Sequence, residues 1–278
     1  MRVQGSNVLV TGASSGIGAA IAREMAARGA RVTLVARSRD ALESLAEEIA
    51  SAGGEAGVEP ADLSNVDQVE ALAERLRAGP GAPDVLVNNA GAGRWLTIDE
   101  TPRGEAAEMM ALPYLAAFEL TRALVPSMIE RGSGRVVCMT SLAAWTHIPG
   151  ATGYAVARWA MRAFASQLRE DLRGTGVGVT LIAPAEVDSP YFDNNPGSRE
   201  RIPGVTALLG GATTPEVVAR ATADAVERDR DEVIAPRRAS IVIKLTPKPV
   251  MDWLVRRTGW RRGKRKGRSA IQSKDLGD

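Results

Sequence analysis

The chain has one cysteine, one histidine and few aromatic residues, which make up 4% of its 278 positions. A single cysteine, Cys138, excludes an internal disulfide and suits a reducing compartment. It lies in the apolar run Val136-Val137-Cys138-Met139, where a buried structural thiol is expected rather than a reactive one. With one histidine, His147, and no CxxC pair, the spacing of a metal site is absent. No run of about 18 apolar residues occurs, so no membrane-spanning helix is expected. The first strand begins so close to Met1 that no room is left for a signal peptide, and a cytoplasmic protein is expected.

Net charge is small overall but unevenly placed. The formal net charge is +2, yet residues 244–268 hold ten Lys or Arg against a single acid, Asp252. The body is therefore mildly acidic and the end strongly basic. A length of 278 residues permits a sizeable core in one large α/β unit. We expect one domain over residues 1–243 and a basic C-terminal extension over 244–278.

What is present begins at the N-terminus. The apolar strand Val8-Leu9-Val10 runs into Thr11-Gly12-Ala13-Ser14-Ser15-Gly16-Ile17-Gly18 and then into a helical pattern. Strand, glycine turn and helix in that order let the backbone approach a phosphate and aim a helix N-terminus at its charge. Apolar β-rich runs follow at 32–36, 85–87, 136–140, 177–183 and 233–234. Between them apolar residues recur every three or four positions, which predicts helices over 17–28, 41–52, 66–77, 105–130, 154–173 and 215–228. Alternating strands and helices imply right-handed crossovers and a doubly wound, mostly parallel sheet with helices on both faces. One stretch breaks the alternation: residues 186–214 are rich in Pro, Gly and Asn, as expected of a binding loop.

Several ordered motifs together resemble the short-chain dehydrogenases/reductases, in their compact single-domain branch, over about residues 5–235. They are Thr11-Gly12-x-x-x-Gly16-x-Gly18, Asp62-Leu63, Asn88-Asn89-Ala90-Gly91, Ser141, and Tyr154 thirteen positions later. The resemblance implies a Rossmann fold and an oxidoreductase that interconverts a carbonyl and a secondary alcohol. It places Gly12, Ser14, Ser15, Gly16, Ile17 and Gly18 at the cofactor pyrophosphate, Asp62 and Leu63 at the adenine, and Asn89, Ala90 and Gly91 beside the cofactor. Asp62 is also suited to capping the next helix. The end of the second strand reads Ala36-Arg37, without the acid that would select NAD. A guanidinium there suits a 2′-phosphate, so NADP(H) is expected.

Ser141 and Tyr154 are the implied oxygen anchor and acid/base. A free tyrosine titrates near pH 10, and a nearby cation favours its phenolate. Position 158 is one helical turn on from Tyr154 and lies on the same face. Here the chain departs from the family's Tyr-x-x-x-Lys: it reads Tyr154-Ala155-Val156-Ala157-Arg158. Arginine keeps the charge and can bond a ribose, but it cannot relay a proton by losing one. The family's helical asparagine is also missing, and the best match is Pro113, which should kink the helix. After the sixth strand, Pro184-Ala185 stands for Pro-Gly, and Ser189 can make the bond to the nicotinamide carboxamide that a threonine usually makes.

Trp95, Leu142, Trp145, Tyr191 and Phe192, with His147 beside them, are candidates to line the pocket of an apolar or ring-containing substrate; packing in the core is the alternative. In the extension a short helix over 250–257 would place Val250, Trp253 and Leu254 on one face. Three readings stay open for it: docking on the body, peripheral contact with an anionic membrane, and, least favoured, nucleic acid. Pairing through the long helices at 105–130 and 154–173 is implied, giving a homo-oligomer. A second function class is a catalytically weak NADP(H)-binding sensor or scaffold.

Overall fold

The computed structural model describes residues 1–79 and 81–261. Seven parallel strands form one sheet in the order β3-β2-β1-β4-β5-β6-β7. They are β1 (Asn7–Thr11), β2 (Arg31–Ala36), β3 (Glu55–Pro60), β4 (Val85–Asn88), β5 (Gly134–Met139), β6 (Val177–Pro184) and β7 (Glu232–Ala235). The helices are α1 (Gly16–Ala27), α2 (Arg39–Ser51), α3 (Val66–Ala78), α4 (Glu105–Met110), α5 (Ala116–Arg131), α6 (Thr152–Asp171), α7 (Pro215–Glu227), α8 (Arg237–Leu245) and α9 (Lys248–Thr258).

Side chains alternate across a strand, and both faces of this sheet are covered. Val8 and Val10 join one apolar layer with Ile21 and Met25 of α1, Leu42 of α2 and Val218 of α7. Leu9, between them, joins the opposite layer with Leu72 of α3, Leu120 of α5 and Met161 of α6. Burial on both sides is why the central strands read as unbroken apolar runs. Cys138 lies fully inside the second layer, and burial pushes its thiol up to about 12. The edge strand β3 (Glu-Ala-Gly-Val-Glu-Pro) has no apolar run and pairs only with β2. Pairing to a neighbour, not its own pattern, makes it a strand.

Three further departures from the sequence reading bear on the site. The long helix at 105–130 is divided: a π-helical turn over Ala111–Leu115 joins α4 to α5, with Pro113 buried in it. Proline has no N–H and crowds the preceding turn, and the wider turn absorbs it without ending the helix. The boundary drawn at 243/244 falls inside α8, and Met251 and Val255 of α9 belong to the core. The loop at 186–214 is not wholly irregular: it contains 3-10 turns at Arg199–Arg201 and Gly204–Leu209. The cationic cluster from Arg262 to Arg268 lies outside the described residues.

Candidate active site

The sheet order reverses between β1 and β4, and at this switch point the carboxyl ends of the strands open into a cleft. Its volume is about 1030 Å³.

The cleft begins at the glycine turn. Gly12 and Gly16 have φ of +65° and +54°, and a Cβ on Gly18 would lie 2.1 Å from the Gly12 carbonyl oxygen. No side chain caps α1 at Ser15, and no acid occupies its first turn. Its N–H groups and dipole are therefore left for an anion. Thr11, quoted in the motif without a role, holds the turn together. Its hydroxyl donates to the Val87 carbonyl at 3.1 Å and accepts the Asn89 and Ala90 N–H groups at 2.9 and 3.0 Å. The Asn89 amide donates to the Thr11 carbonyl at 2.9 Å. Asn89 lines the cleft, but its side chain serves the turn. A polar residue ending an otherwise apolar strand was the available signal for Thr11.

Ser14, Ser15, Ile17, Leu63, Ala90 and Gly91 also line the cleft. Arg37 lines it too, exposed and, among the described residues, without a salt-bridge partner. Asp62 is not among the lining residues. Its carboxylate accepts the Ser64 hydroxyl at 2.7 Å and N–H at 3.0 Å, and those bonds, with Arg37 nearby, hold it below the usual carboxylate range. Asn65, not Asp62, caps α3 by accepting from Asp67 and Gln68.

At the far end stand Ser141, Tyr154 and Arg158, all lining the cleft. Ser141 follows β5, and its Oγ accepts the Ala143 N–H at 3.3 Å, which leaves the hydroxyl proton free to donate. Tyr154 is buried in the first turn of α6 between Trp95 and Tyr191, with ring centroids 5.3 and 6.0 Å away. Arg158 is 6% exposed, and its guanidinium carbon lies 4.9 Å from the Tyr154 ring centroid. A Cβ on Gly91 would sit 2.8 Å from the Arg158 Nη2, so the glycine makes room for the guanidinium. Thr140 donates to the Arg158 carbonyl at 2.8 Å and ties α6 to the end of β5. Among the described residues Arg158 has no ion-pair partner, and its Nε has no hydrogen bond. A buried cation without a partner is costly. Arg158, which lines the cleft, is thus available to an acceptor bound there.

Pro184 and Ser189 line the cleft, and Ser189 packs against Gly16. Trp95, Leu142, Tyr191 and Phe192 line it as expected. Trp145 does not: its ring is covered by the Arg162 guanidinium at 4.1 Å. His147 is exposed and stacks on Trp159 at 6.2 Å. Burial pushes the Tyr191 hydroxyl above its ordinary range, with Tyr154 adding to the effect, and it donates to the Gly93 carbonyl. The loop over 186–214 is tied down: Ser198 accepts the Trp95 N–H at 3.1 Å, and Arg201 pairs with Glu100 at 2.7 Å. That pairing pulls the Glu100 carboxyl down to about 2.

The short chain dehydrogenase family model matches residues 6–199. The chain belongs to that family. It is 36% identical over 230 residues to ketoacyl reductase HetN of a Nostoc strain, covering 83% of this chain and 78% of that one. A metagenomic short-chain oxidoreductase solved with NADP superposes with a TM-score of 0.71 at 31% identity, over 84% of this chain and 98% of that one. A putative NAD(P)-dependent gluconate 5-dehydrogenase from Beutenbergia cavernae, with bound NADP, gives 0.76 at 33%, over 84% and 96%. This short-chain dehydrogenase is accordingly an oxidoreductase with a nicotinamide dinucleotide site. The glycine cradle at Gly12 and Gly18 and the unpartnered Arg158 fit that group.

Proposed function

We propose that this short-chain dehydrogenase reduces a ketone on an apolar or ring-bearing small molecule with NADPH, or runs the reverse oxidation. The observation that carries the reading is Arg158, a buried cation stacked on Tyr154 whose Nε has no hydrogen bond among the described residues. A cofactor ribose in the cleft would supply the acceptor.

When bound, the nicotinamide supplies or takes the hydride. The chain does the rest. Ser141 donates its free hydroxyl proton to the substrate oxygen and fixes its position. Tyr154 delivers a proton to that oxygen as the carbonyl becomes an alcohol, and takes it back in the reverse direction. Arg158 keeps positive charge beside the phenol and bonds the ribose; because it stays protonated, the proton must reach Tyr154 by another route. Trp95 and Tyr191 shield the phenol from water. A screen of ketones, following NADPH consumption, tests the reading. Cofactor binding with no turnover on any carbonyl would favour the sensor or scaffold alternative.

NADP(H) over NAD(H) rests on Arg37, at the end of β2 and without a salt bridge among the described residues, with no acid at positions 36–38. Charge-assisted bonds to a phosphate contribute about 1.5–3 kcal/mol. Arg37→Glu should therefore weaken NADPH binding roughly 10- to 100-fold and leave NADH unchanged or improved. Equal loss for both cofactors would overturn the 2′-phosphate role.

Family members are commonly oligomeric, and exposed apolar side chains on α5 and α6 support pairing here. Phe118 is 41% exposed and Val156 57%. Trp159→Glu should halve the mass measured by sedimentation equilibrium; a monomeric wild type would refute the pairing. No helix of the described residues is long and apolar enough to cross a membrane. We place the protein in the cytoplasm, and recovery of the enzyme from a secreted fraction would contradict this.

A further inference from the structure

The helices α8 and α9 form a pair with two different faces. Only Thr246 and Pro247 separate them. Their inner side closes the substrate end of the cleft: Ile243, Met251 and Val255 line it. Met251 and Val255 are buried with Leu142, Val205 and Leu209. Thr258 accepts the Val205 N–H at 3.0 Å, and Asp252 accepts the Thr146 hydroxyl at 2.9 Å, so the pair is fastened to the body.

The outer side is apolar and uncovered. Leu245 is 79% exposed, Trp253 53%, Ile241 50% and Val250 46%. The sequence puts Val250, Trp253 and Leu254 on one face, turned to the body or to a membrane; Leu254 packs with Met251 and Val255 against the body, whereas Val250 and Trp253 point outward. Around them stand exposed Lys244, Lys248, Arg256, Arg257 and Arg261. The one acid in this segment, Asp252, is spent on Lys248 and Thr146. Arg257 lies over the Trp253 ring at 5.6 Å. A tryptophan and aliphatic side chains within a ring of cations match the interface of an anionic bilayer, where rings sit at headgroup level and each cation gains from the surface potential. A second copy of the same face would bring cation against cation.

We propose that the outer face of α8 and α9 docks this enzyme on the surface of an anionic lipid bilayer. Ile241, Leu245, Val250 and Trp253 enter the headgroup region, and the cations meet lipid phosphates. The same helices are then cleft wall on one side and lipid contact on the other, which suits a substrate dissolved in the membrane. The substrate clause rests on the proposed reductase reading; the docking does not, because its readouts need no turnover.

The test is co-sedimentation of the full chain with vesicles of phosphatidylcholine alone and of equimolar phosphatidylcholine and phosphatidylglycerol. Binding to the anionic vesicles only, weakened by high salt, is expected. The double variant Leu245→Glu/Trp253→Glu should lose at least tenfold of it while binding NADPH as the wild type does. Lipids with brominated chains should quench wild-type tryptophan emission more than that of Trp253→Phe. Three results would overturn the proposal. One is no binding to anionic vesicles. Another is full binding by the double variant, which would assign the effect to the charges of residues 262–278 alone. The third is a wild type that ignores vesicles but forms an oligomer that the double variant breaks, which would make a second copy the occupant.

Discussion

Tyr154→Phe should abolish carbonyl reduction while leaving cofactor affinity within about twofold of wild type. The substitution removes one oxygen from a ring held between Trp95 and Tyr191, and the ring contacts survive it. What disappears is the hydroxyl proposed to give the substrate oxygen its proton. General acid–base catalysis contributes roughly a hundred- to ten-thousandfold in rate, so kcat should fall by that range. Steady-state kinetics with any substrate found in the ketone screen, beside a binding titration of the same variant, would measure both quantities. Turnover kept by the phenylalanine variant would remove Tyr154 from the chemistry and return the site to the sensor reading.

Replacing Arg158 should separate activity from stability in opposite directions. Arg158 is buried, lacks a salt-bridge partner among the described residues and has an unbonded Nε. Such a group costs the folded protein desolvation that, among the described residues, only the stacking on Tyr154 offsets. Arg158→Met keeps most of the volume against Gly91 and the Tyr154 ring and removes the charge. Its melting temperature should equal or exceed that of wild type. Its kcat should fall about 10- to 100-fold, and its NADPH affinity should weaken, because a charged hydrogen bond is lost. Arg158→Lys restores the charge but not the planar fork that rests against Gly91, so it should recover part of the loss. A methionine variant that is less stable and fully active would make Arg158 a packing residue. A lysine variant faster than wild type would make arginine a poor occupant of a site built for an ammonium.

The residues that bring the site together differ in how far the sequence alone reveals them. The glycine turn is legible from a local constraint, a left-handed φ between a strand and a helix, whereas Ser141 and Tyr154 are singled out by the resemblance to the family, and the fold brings both to the cleft. Leu9 between Val8 and Val10 announces a strand covered on both faces. Edge strand β3 carries no such pattern, because a strand with one neighbour and a wet face need not be apolar. Trp145 and Trp95 look alike as aromatic residues near the site, yet only Trp95 lines the cleft; Arg162, far enough along α6 to be invisible to a motif, takes Trp145. The sequence leaves the orientation of α9 open for a related reason. Trp253 is the largest side chain of the helix, but the pocket it would have to enter is already shaped by Val205 and Leu209 and admits Met251 and Val255. The roles of Thr11, quoted only as part of a motif, and of Thr140 are not legible because their hydroxyls bond distant backbone, and that pairing exists only in the folded chain.

We propose that the cleft at the β1–β4 switch point holds a nicotinamide dinucleotide with a 2′-phosphate. Calorimetric titration of the wild-type chain with NADPH and, separately, with NADH tests it most directly. The account predicts saturable binding of NADPH at least tenfold tighter than that of NADH. Binding of neither would contradict it, and would mean that the glycine cradle and the unpaired Arg158 serve some other ligand.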